Sequence, residues 1–246
     1  MINDINNKNI KYLTGLIGSP VSHSLSPSIH KKMFAQNNMK EHDYVVIDSS
    51  IRGLKDTIDT LDDRFIGFNV TMPDKIKIID FLDEVSDEVK YIGAVNTVKI
   101  IDGKMIGFNT DGKGFFCALK NRNIDVGDKE VLIYGAGGAA KAISFELSNN
   151  GAHVNMLHRP SVDEIFKYLM KCDIFINASP VGMDGKSCPI DNLSFVKKDL
   201  FVADLIYFPQ ETPLLKFAKD ANLNCMNGYD MLFEQAKLSF EIWHNE

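Results

Sequence analysis

Three short polar segments carry the residues of this chain best suited to chemistry: SHSLSP at 22–27, NVTMPDK at 69–75, and the pair AVNT at 94–97 and GFNTDG at 107–112. They supply Ser24, Ser26, Asn69, Thr71, Lys75, Asn96, Asn109 and Asp111, more hydroxyls and amides than turns require. Such a set suits a polyhydroxylated small ligand held by oriented hydrogen bonds. Lys75 is the candidate for proton transfer, and Asp111 the candidate acid that restrains it and holds a ligand hydroxyl. Plainer readings stand beside these: Lys75 as an exposed helix lysine, and Asp111 as a turn former before Gly112.

A second constellation is VLIYGAGGAAKA, where Gly135, Gly137 and Ala140 give G-x-G-x-x-A between an apolar run and a helical pattern. The first glycine makes the tight turn, the second lets backbone N–H groups approach a pyrophosphate, and the small third residue lets helix and strand pack. The helix N-terminus adds partial positive charge toward the phosphates. The next apolar run ends in His158 and Arg159 with no carboxylate before Asp163, which suits the 2′-phosphate of NADP better than the bare ribose of NAD. A ligand-free turn and a solvated Arg159 are the alternatives. The two constellations fit one reaction, since reducing a ketone by hydride creates an alkoxide that needs a proton donor; a positioned donor contributes about 10²- to 10⁴-fold.

The elements that must position these residues alternate. YLTGLIG and YVVID read as strands, separated by a helix with Ser26 as N-cap and Pro27 at the first position. In IRGLKDTIDTLDD, Ile51, Leu54, Ile58 and Leu61 recur at helical spacing. FIGFNVT reads as a third strand, and Pro73 then opens a helix through MPDKIKIIDFLDE. That places Lys75 in a first turn, where the macrodipole disfavours a cation by up to about 1 kcal/mol and favours the neutral amine. AVNTVKII and KMIGFNT flank Asp102 and Gly103, the signature of a two-residue hairpin, so this sheet is expected to be mixed. After Gly112 the rhythm restarts with a helix, EVLIY, the glycine turn and AAKAISFELSNN, and continues through HVNMLH, CDIFINAS, LFVADLIY and NLNCMN to a helix from about Tyr229. The pattern predicts two α/β domains with a boundary near Gly112.

The bulk composition narrows the partners. With 246 residues, 45% hydrophobic and 24% charged, the chain reads as globular, and a net charge of −6 argues against a nucleic-acid surface. No window approaches the run of apolar residues that a membrane span needs. Cys117, Cys172, Cys188 and Cys225 are scattered, without metal-ligand spacing, which points to reduced thiols, a cytoplasmic location and no metal.

The segments GLIGSPVSHSLSPSIH, GFNVTMPDK, GAVNT, GFNTDG, GAGGAAKA, INASPVGM, DLIYFPQETPLL and NGYDMLFEQA, in this order over nearly the whole chain, resemble the shikimate dehydrogenase family. The resemblance implies an N-terminal αβ substrate domain with a mixed sheet, 1–111, completed by a returning C-terminal helix, 229–246, and a Rossmann-type NADP-binding domain, 112–228. It implies reversible NADP-dependent reduction of 3-dehydroshikimate to shikimate, on the route to chorismate and the aromatic amino acids, by a monomer or homodimer. Ser24 and Ser26 would bind the substrate carboxylate, Thr71, Asn96 and Gln235 its hydroxyls, and Tyr207 would line the same site. Lys75 and Asp111 resemble the catalytic pair. Gly135, Ala136, Gly137, Gly138, Ala139, Ala140, His158 and Arg159 would hold the cofactor, with Gly228 and Met231 near the nicotinamide.

Three departures from the family pattern stand out. His158, Arg159 and Pro160 replace the usual Asn-Arg-Thr, and only fourteen residues separate Arg159 from IFINAS, where the family has a further helix and strand. A single helix from Ser161 to Lys171 is expected there, with a more open adenine side and weaker NADP binding. In NASP, Ser179 keeps a hydroxyl where the family commonly has threonine, while Pro180 removes a backbone donor. Two rival readings remain: a quinate/shikimate dehydrogenase using NAD, and a non-catalytic nucleotide-responsive binding module.

Overall fold

The computed structural model describes residues 9–159, 162–190 and 196–245. The chain divides into two compact units, one of Met1–Thr110 with Gln235–Glu246, the other of Asp111–Glu234.

The first unit contains β1 (Tyr12–Gly18), α1 (Ser26–Gln36), β2 (His42–Asp48), α2 (Leu54–Ile58), β3 (Gly67–Val70), β4 (Glu84–Val85), α3 (Asp87–Ile92), β5 (Thr97–Ile101) and β6 (Lys104–Phe108). Its sheet has the order β2-β1-β3-β5-β6-β4. β1 is parallel to β2 and β3, whereas β5 is antiparallel to β3 and β6, so the sheet is mixed as expected. Asp102 and Gly103 make the β5–β6 turn with φ of 51° and 76°, the doubly left-handed pair of a type I′ hairpin.

Strand alternation decides what each face of this sheet carries. Phe68, Val70 and Val98 join Leu13 and Ile17 in an apolar core on one side. Their neighbours Gly67, Asn69 and Thr97 face the other side, where the C-terminal residues of the chain pack. The Trp243 indole N–H donates to the Val98 carbonyl at 2.9 Å, and a Cβ on Gly67 would lie 2.4 Å from that indole. Glycine is therefore required at 67 by close approach alone.

Two expected helices differ. In the 51–63 segment helix α2 starts only at Leu54, after Gly53 at φ 85°, and Ile51 is 73% exposed, so it lies off the apolar face. Pro73 does not open a helix either. The Lys75 carbonyl accepts from the Val95 N–H at 2.8 Å, a long-range bond that takes it out of any helical ladder, and only a short 3₁₀ turn, Lys77–Phe81, follows. Lys75 thus sits in a tight turn, outside the first turn of any helix, and no helix macrodipole acts on it.

The second unit contains α4 (Asp111–Asn121), β7 (Glu130–Tyr134), α5 (Gly138–Asn149), β8 (His153–Leu157), α6 (Val162–Leu169), β9 (Ile174–Asn177), β10 (Phe201–Asp204), α7 (Pro213–Asp220), β11 (Cys225–Met226) and the start of α8 (Tyr229–His244). Its sheet is wholly parallel, in the order β11-β10-β9-β7-β8. Strands 7 and 9 are neighbours with crossovers leaving in opposite directions, which puts the topological switch point between them. Val131 and Ile133 feed the core under α4 and α5, and Leu132 feeds the core under α6 and α7. Between β8 and β9 the described residues hold the single helix α6, as the short spacing predicts.

Candidate active site

In the first unit the serine-rich stretch leads into α1. Ser26 is not the N-cap expected from the sequence: it is already the first helical residue, and the cap position, Leu25, makes no side-chain cap bond. Capping has moved back to Ser24, whose Oγ accepts from the Ser26 N–H at 3.2 Å. The Ser24 hydroxyl also lies 3.2 Å from the Ser26 Oγ, so the two hydroxyls form an adjacent pair, Ser26 buried and Ser24 half-buried. His23 is exposed.

The turn bearing Lys75 is anchored at both ends. The Thr71 N–H donates to Ile17 and the Asp74 N–H to the Thr71 carbonyl, both at 2.9 Å. Asp74 is buried at 5% exposure, and its carboxylate accepts from the Ser49 hydroxyl at 2.5 Å. Ser49 in turn donates its N–H to the Gly18 carbonyl at 3.0 Å, tying the ends of β1 and β2 to the lysine turn. Asn109, beyond β6, donates its amide to the Ala94 carbonyl at 2.9 Å and so holds the chain next to Asn96.

Asn96 and Gln235, far apart in sequence, are brought together: the Asn96 amide donates to Gln235 Oε1 at 3.2 Å. Asn96 Nδ2 also donates to Thr110 Oγ1 at 2.9 Å, while its Oδ1 accepts from the Thr110 N–H at 2.8 Å and the Thr97 hydroxyl at 2.9 Å. Behind them stand Asn69, Tyr44 and Ser239, with Tyr44 donating to Asn69 Oδ1 at 2.8 Å. All these residues are buried. Sequence reading missed Tyr44, Thr97, Thr110 and Ser239, because each is an unremarkable residue of a strand, turn or helix until the fold joins them.

In the second unit Asp111 is buried as the first residue of α4, a position where the helix N-terminus favours negative charge. It is therefore a helix-opening acid, not a free-standing turn former. The glycine turn joins β7 to α5. Gly135 has φ 133°, and a Cβ there would lie 2.6 Å from the Ala178 carbonyl oxygen after β9, so the two loops at the switch point approach over a bare backbone. Gly137 is the N-cap of α5 with no side-chain cap bond, and a Cβ on it would meet nothing within 4 Å. Ala136, Gly138 and Ala139 are half-buried around it, and Ala140 is buried against the strand. Backbone N–H groups before an uncapped helix with no acid in its first turn fit a dinucleotide pyrophosphate.

His158 and Arg159 follow β8 and are exposed, Arg159 with φ 48°. Pro160 and Ser161 lie outside the described residues. Ser179 uses its hydroxyl locally, donating to Asn177 Oδ1 at 2.7 Å and accepting from the Val181 N–H at 3.2 Å. After β10, Asp204 accepts from the Thr212 hydroxyl at 2.6 Å, the Asn177 amide at 3.0 Å and the Ile206 N–H at 3.1 Å. Burial pushes its carboxyl above the usual range. This cluster braces the loop carrying Tyr207, which is half-buried and whose phenol burial also pushes up. Gly228 is fixed by packing, since a Cβ there would lie 2.0 Å from the Leu205 carbonyl oxygen, and Met231 is buried in the core under α4 and α5.

A mixed-sheet unit with a buried amide and hydroxyl network, joined to a parallel-sheet unit with a strand, glycine turn and uncapped helix, defines a dinucleotide-binding α/β protein with a separate polar-ligand domain. The family model described as the shikimate dehydrogenase substrate binding domain matches residues 16–98. The shikimate dehydrogenase (NADP(+)) of Methanocaldococcus jannaschii is 42% identical, over 93% of this chain and 90% of its own length. The crystal structure of shikimate dehydrogenase from Aquifex aeolicus superposes with a TM-score of 0.89 at 34% identity, over 98% of this chain and 94% of that one. That of shikimate 5-dehydrogenase from Thermus thermophilus, in complex with NADP(H) and shikimate, gives 0.86 at 31% identity, over 96% and 94%. The chain belongs to the shikimate dehydrogenase family.

Among the described residues no helix is long and apolar enough to cross a membrane, and no cluster of three or more His, Cys, Asp or Glu side chains is placed to hold a metal ion.

Proposed function

We propose that the protein catalyses the reversible NADP-dependent reduction of 3-dehydroshikimate to shikimate in the cytoplasm. The observation that carries this reading is the buried Asn96–Gln235 amide pair, a preorganised hydrogen-bonding group in the unit that the substrate-domain model matches. Ser24 and Ser26 hold the substrate carboxylate through their paired hydroxyls, and Thr71, Asn96 and Gln235 take the ring hydroxyls, with Tyr207 lining the site. The Lys75 ammonium gives its proton to the oxygen that becomes a hydroxyl, and takes it back in the oxidative direction. Asp111 holds that hydroxyl and orients the lysine.

The backbone from Gly135 to Ala140 fits the cofactor pyrophosphate, Arg159 with His158 fits the 2′-phosphate, and Gly228 and Met231 stand near the nicotinamide. When bound, NADP supplies the hydride acceptor for shikimate oxidation. The four cysteines are free thiols, with burial pushing Cys172 up to about 12, which supports a reducing compartment.

The test is the initial rate of cofactor reduction by the purified chain with shikimate and NADP, then with NAD, and with quinate as the competing substrate. Fast turnover only with shikimate and NADP is expected. A faster rate with quinate and NAD would assign the protein to the quinate-oxidising branch, and binding of shikimate without turnover would make it a binding module.

A further inference from the structure

Between β10 and α7 the chain rises to the surface of the second unit and returns. Asp204 and Thr212, its two ends, are each 1% exposed, whereas Phe208 at the tip is 76% exposed. Tyr207 stands half-buried between them, and among the described residues its hydroxyl has no hydrogen-bond partner. The phenol is therefore placed by the backbone that carries it, and that backbone by whatever holds the base of the loop.

The base is a buried carboxylate met by three donors. Asp204 Oδ2 accepts from the Thr212 hydroxyl, and Oδ1 accepts from the Asn177 amide and the Ile206 N–H. Among the described residues no Lys, Arg or His pairs with it, so these bonds alone offset the cost of burying it. Each hydrogen here has a single assignment. Asn177 Oδ1 accepts from the Ser179 N–H, which turns the Asn177 NH₂ toward the Val181 carbonyl and Asp204. Thr212 Oγ1 accepts from the Leu215 N–H at 3.3 Å, capping α7, and its one hydrogen goes to the carboxylate. The same hydroxyl thus opens the helix and joins the ends of the loop, eight residues apart.

The other side of the loop is tied to the segment after β11. The Ile206 carbonyl accepts from the Gly228 N–H at 3.1 Å, and the Gln210 carbonyl from the Asn227 amide at 3.2 Å. Ile206, the residue before Tyr207, is therefore pinned twice, to Asp204 through its N–H and to Gly228 through its carbonyl.

We propose that Thr212 is a positioning residue for shikimate oxidation: by closing the loop on Asp204 it holds Ile206, and with it the Tyr207 phenol, in a fixed place relative to the Gly228 segment. The assignment rests on the reading of Tyr207 as a residue that lines the substrate site. Without the Thr212 hydroxyl one oxygen of the Asp204 carboxylate is buried and unmet. It reaches water only when the base of the loop opens, and Ile206 and Tyr207 then shift together.

Steady-state kinetics with shikimate and NADP test this. Thr212→Val removes the hydroxyl at nearly constant volume and is expected to lower kcat/KM for shikimate about tenfold, equivalent to about 1.4 kcal/mol. Thr212→Ser keeps the hydroxyl and should restore the native value. Tyr207→Ala removes the group being positioned, so Thr212→Val should add little on that background. Loss of the α7 cap alone would lower stability without this dependence on Tyr207. Asp204→Asn weakens the same bond by removing its charge, and serves in the same cycle if Thr212→Val does not fold. A native kcat/KM in Thr212→Val, no rescue by Thr212→Ser, or an undiminished effect on the Tyr207→Ala background overturns the assignment while shikimate oxidation by the native chain still stands. A native chain that does not oxidise shikimate overturns the functional reading, and this assignment falls with it.

Discussion

His30 lies flat against Tyr44, with ring centroids 4.3 Å apart and planes within 4° of parallel. Both rings are buried, neither imidazole nitrogen of His30 has a hydrogen-bond partner, and burial pushes its pKa down to about 3. Folding therefore holds this histidine neutral, whereas the unfolded chain protonates it near 6.5. The stabilising contribution is present above about pH 6.5 and is lost as pH falls toward 3, at up to about 1.4 kcal/mol per pH unit. His42 and His244, also lowered mainly by burial, add slopes of the same sign. Urea unfolding between about pH 7 and 4 should show stability falling with acidity, and His30→Phe should remove about one proton from the slope. An unchanged slope would mean that His30 becomes solvated before it titrates.

Lys75→Ala is expected to lower kcat by about 10²- to 10⁴-fold with a smaller effect on the KM for shikimate, the pattern of a group that acts on the transferred proton. Near-normal kcat would remove Lys75 from the chemistry and leave it a binding residue.

The Ser49–Asp74 bond makes a separate claim about the same turn. Among the described residues the Ser49 hydroxyl is the one side-chain donor to this buried carboxylate. Ser49→Ala should destabilise the protein by about 1–3 kcal/mol, the cost of leaving a buried polar group unmet. Chemical denaturation measures this, and a loss below a few tenths of a kcal/mol would show that water takes the hydroxyl's place.

Arg159 and the single α6 crossover bear on the cofactor. Arg159→Ala should weaken NADP binding while leaving NAD binding nearly unchanged, measured by titrating each dinucleotide against protein fluorescence or heat. With one helix in place of the longer family crossover, native NADP affinity should be micromolar or weaker. Submicromolar binding would show that the shortened segment costs nothing at the adenine end.

What could be read from the sequence was local. The Asp102–Gly103 hairpin and the Gly135–Ala140 turn depend on residues within a few positions, and both formed where their chemistry demanded. The helix expected at Pro73 failed because the Val95 N–H, about twenty residues away, captures the Lys75 carbonyl. Ser26 lost its cap role for a subtler reason, since it is itself the first helical residue and its own N–H donates to the Ser24 hydroxyl two residues earlier. Ser239 and Tyr44 were invisible as site residues, because only the sheet's alternation and the last helix bring them to Asn69 and Thr97.

The Trp243 bond to Val98 and the Ser239 cluster belong to the final stretch of the chain, yet they complete the unit that begins it. During synthesis the buried network of the first unit therefore waits for α8: Asn69 and Thr97 are made 170 and 142 residues before Ser239, and the whole of the second unit, Asp111–Glu234, is made in between. That network closes only after α8 has left the ribosome, when every residue of the second unit is already in hand.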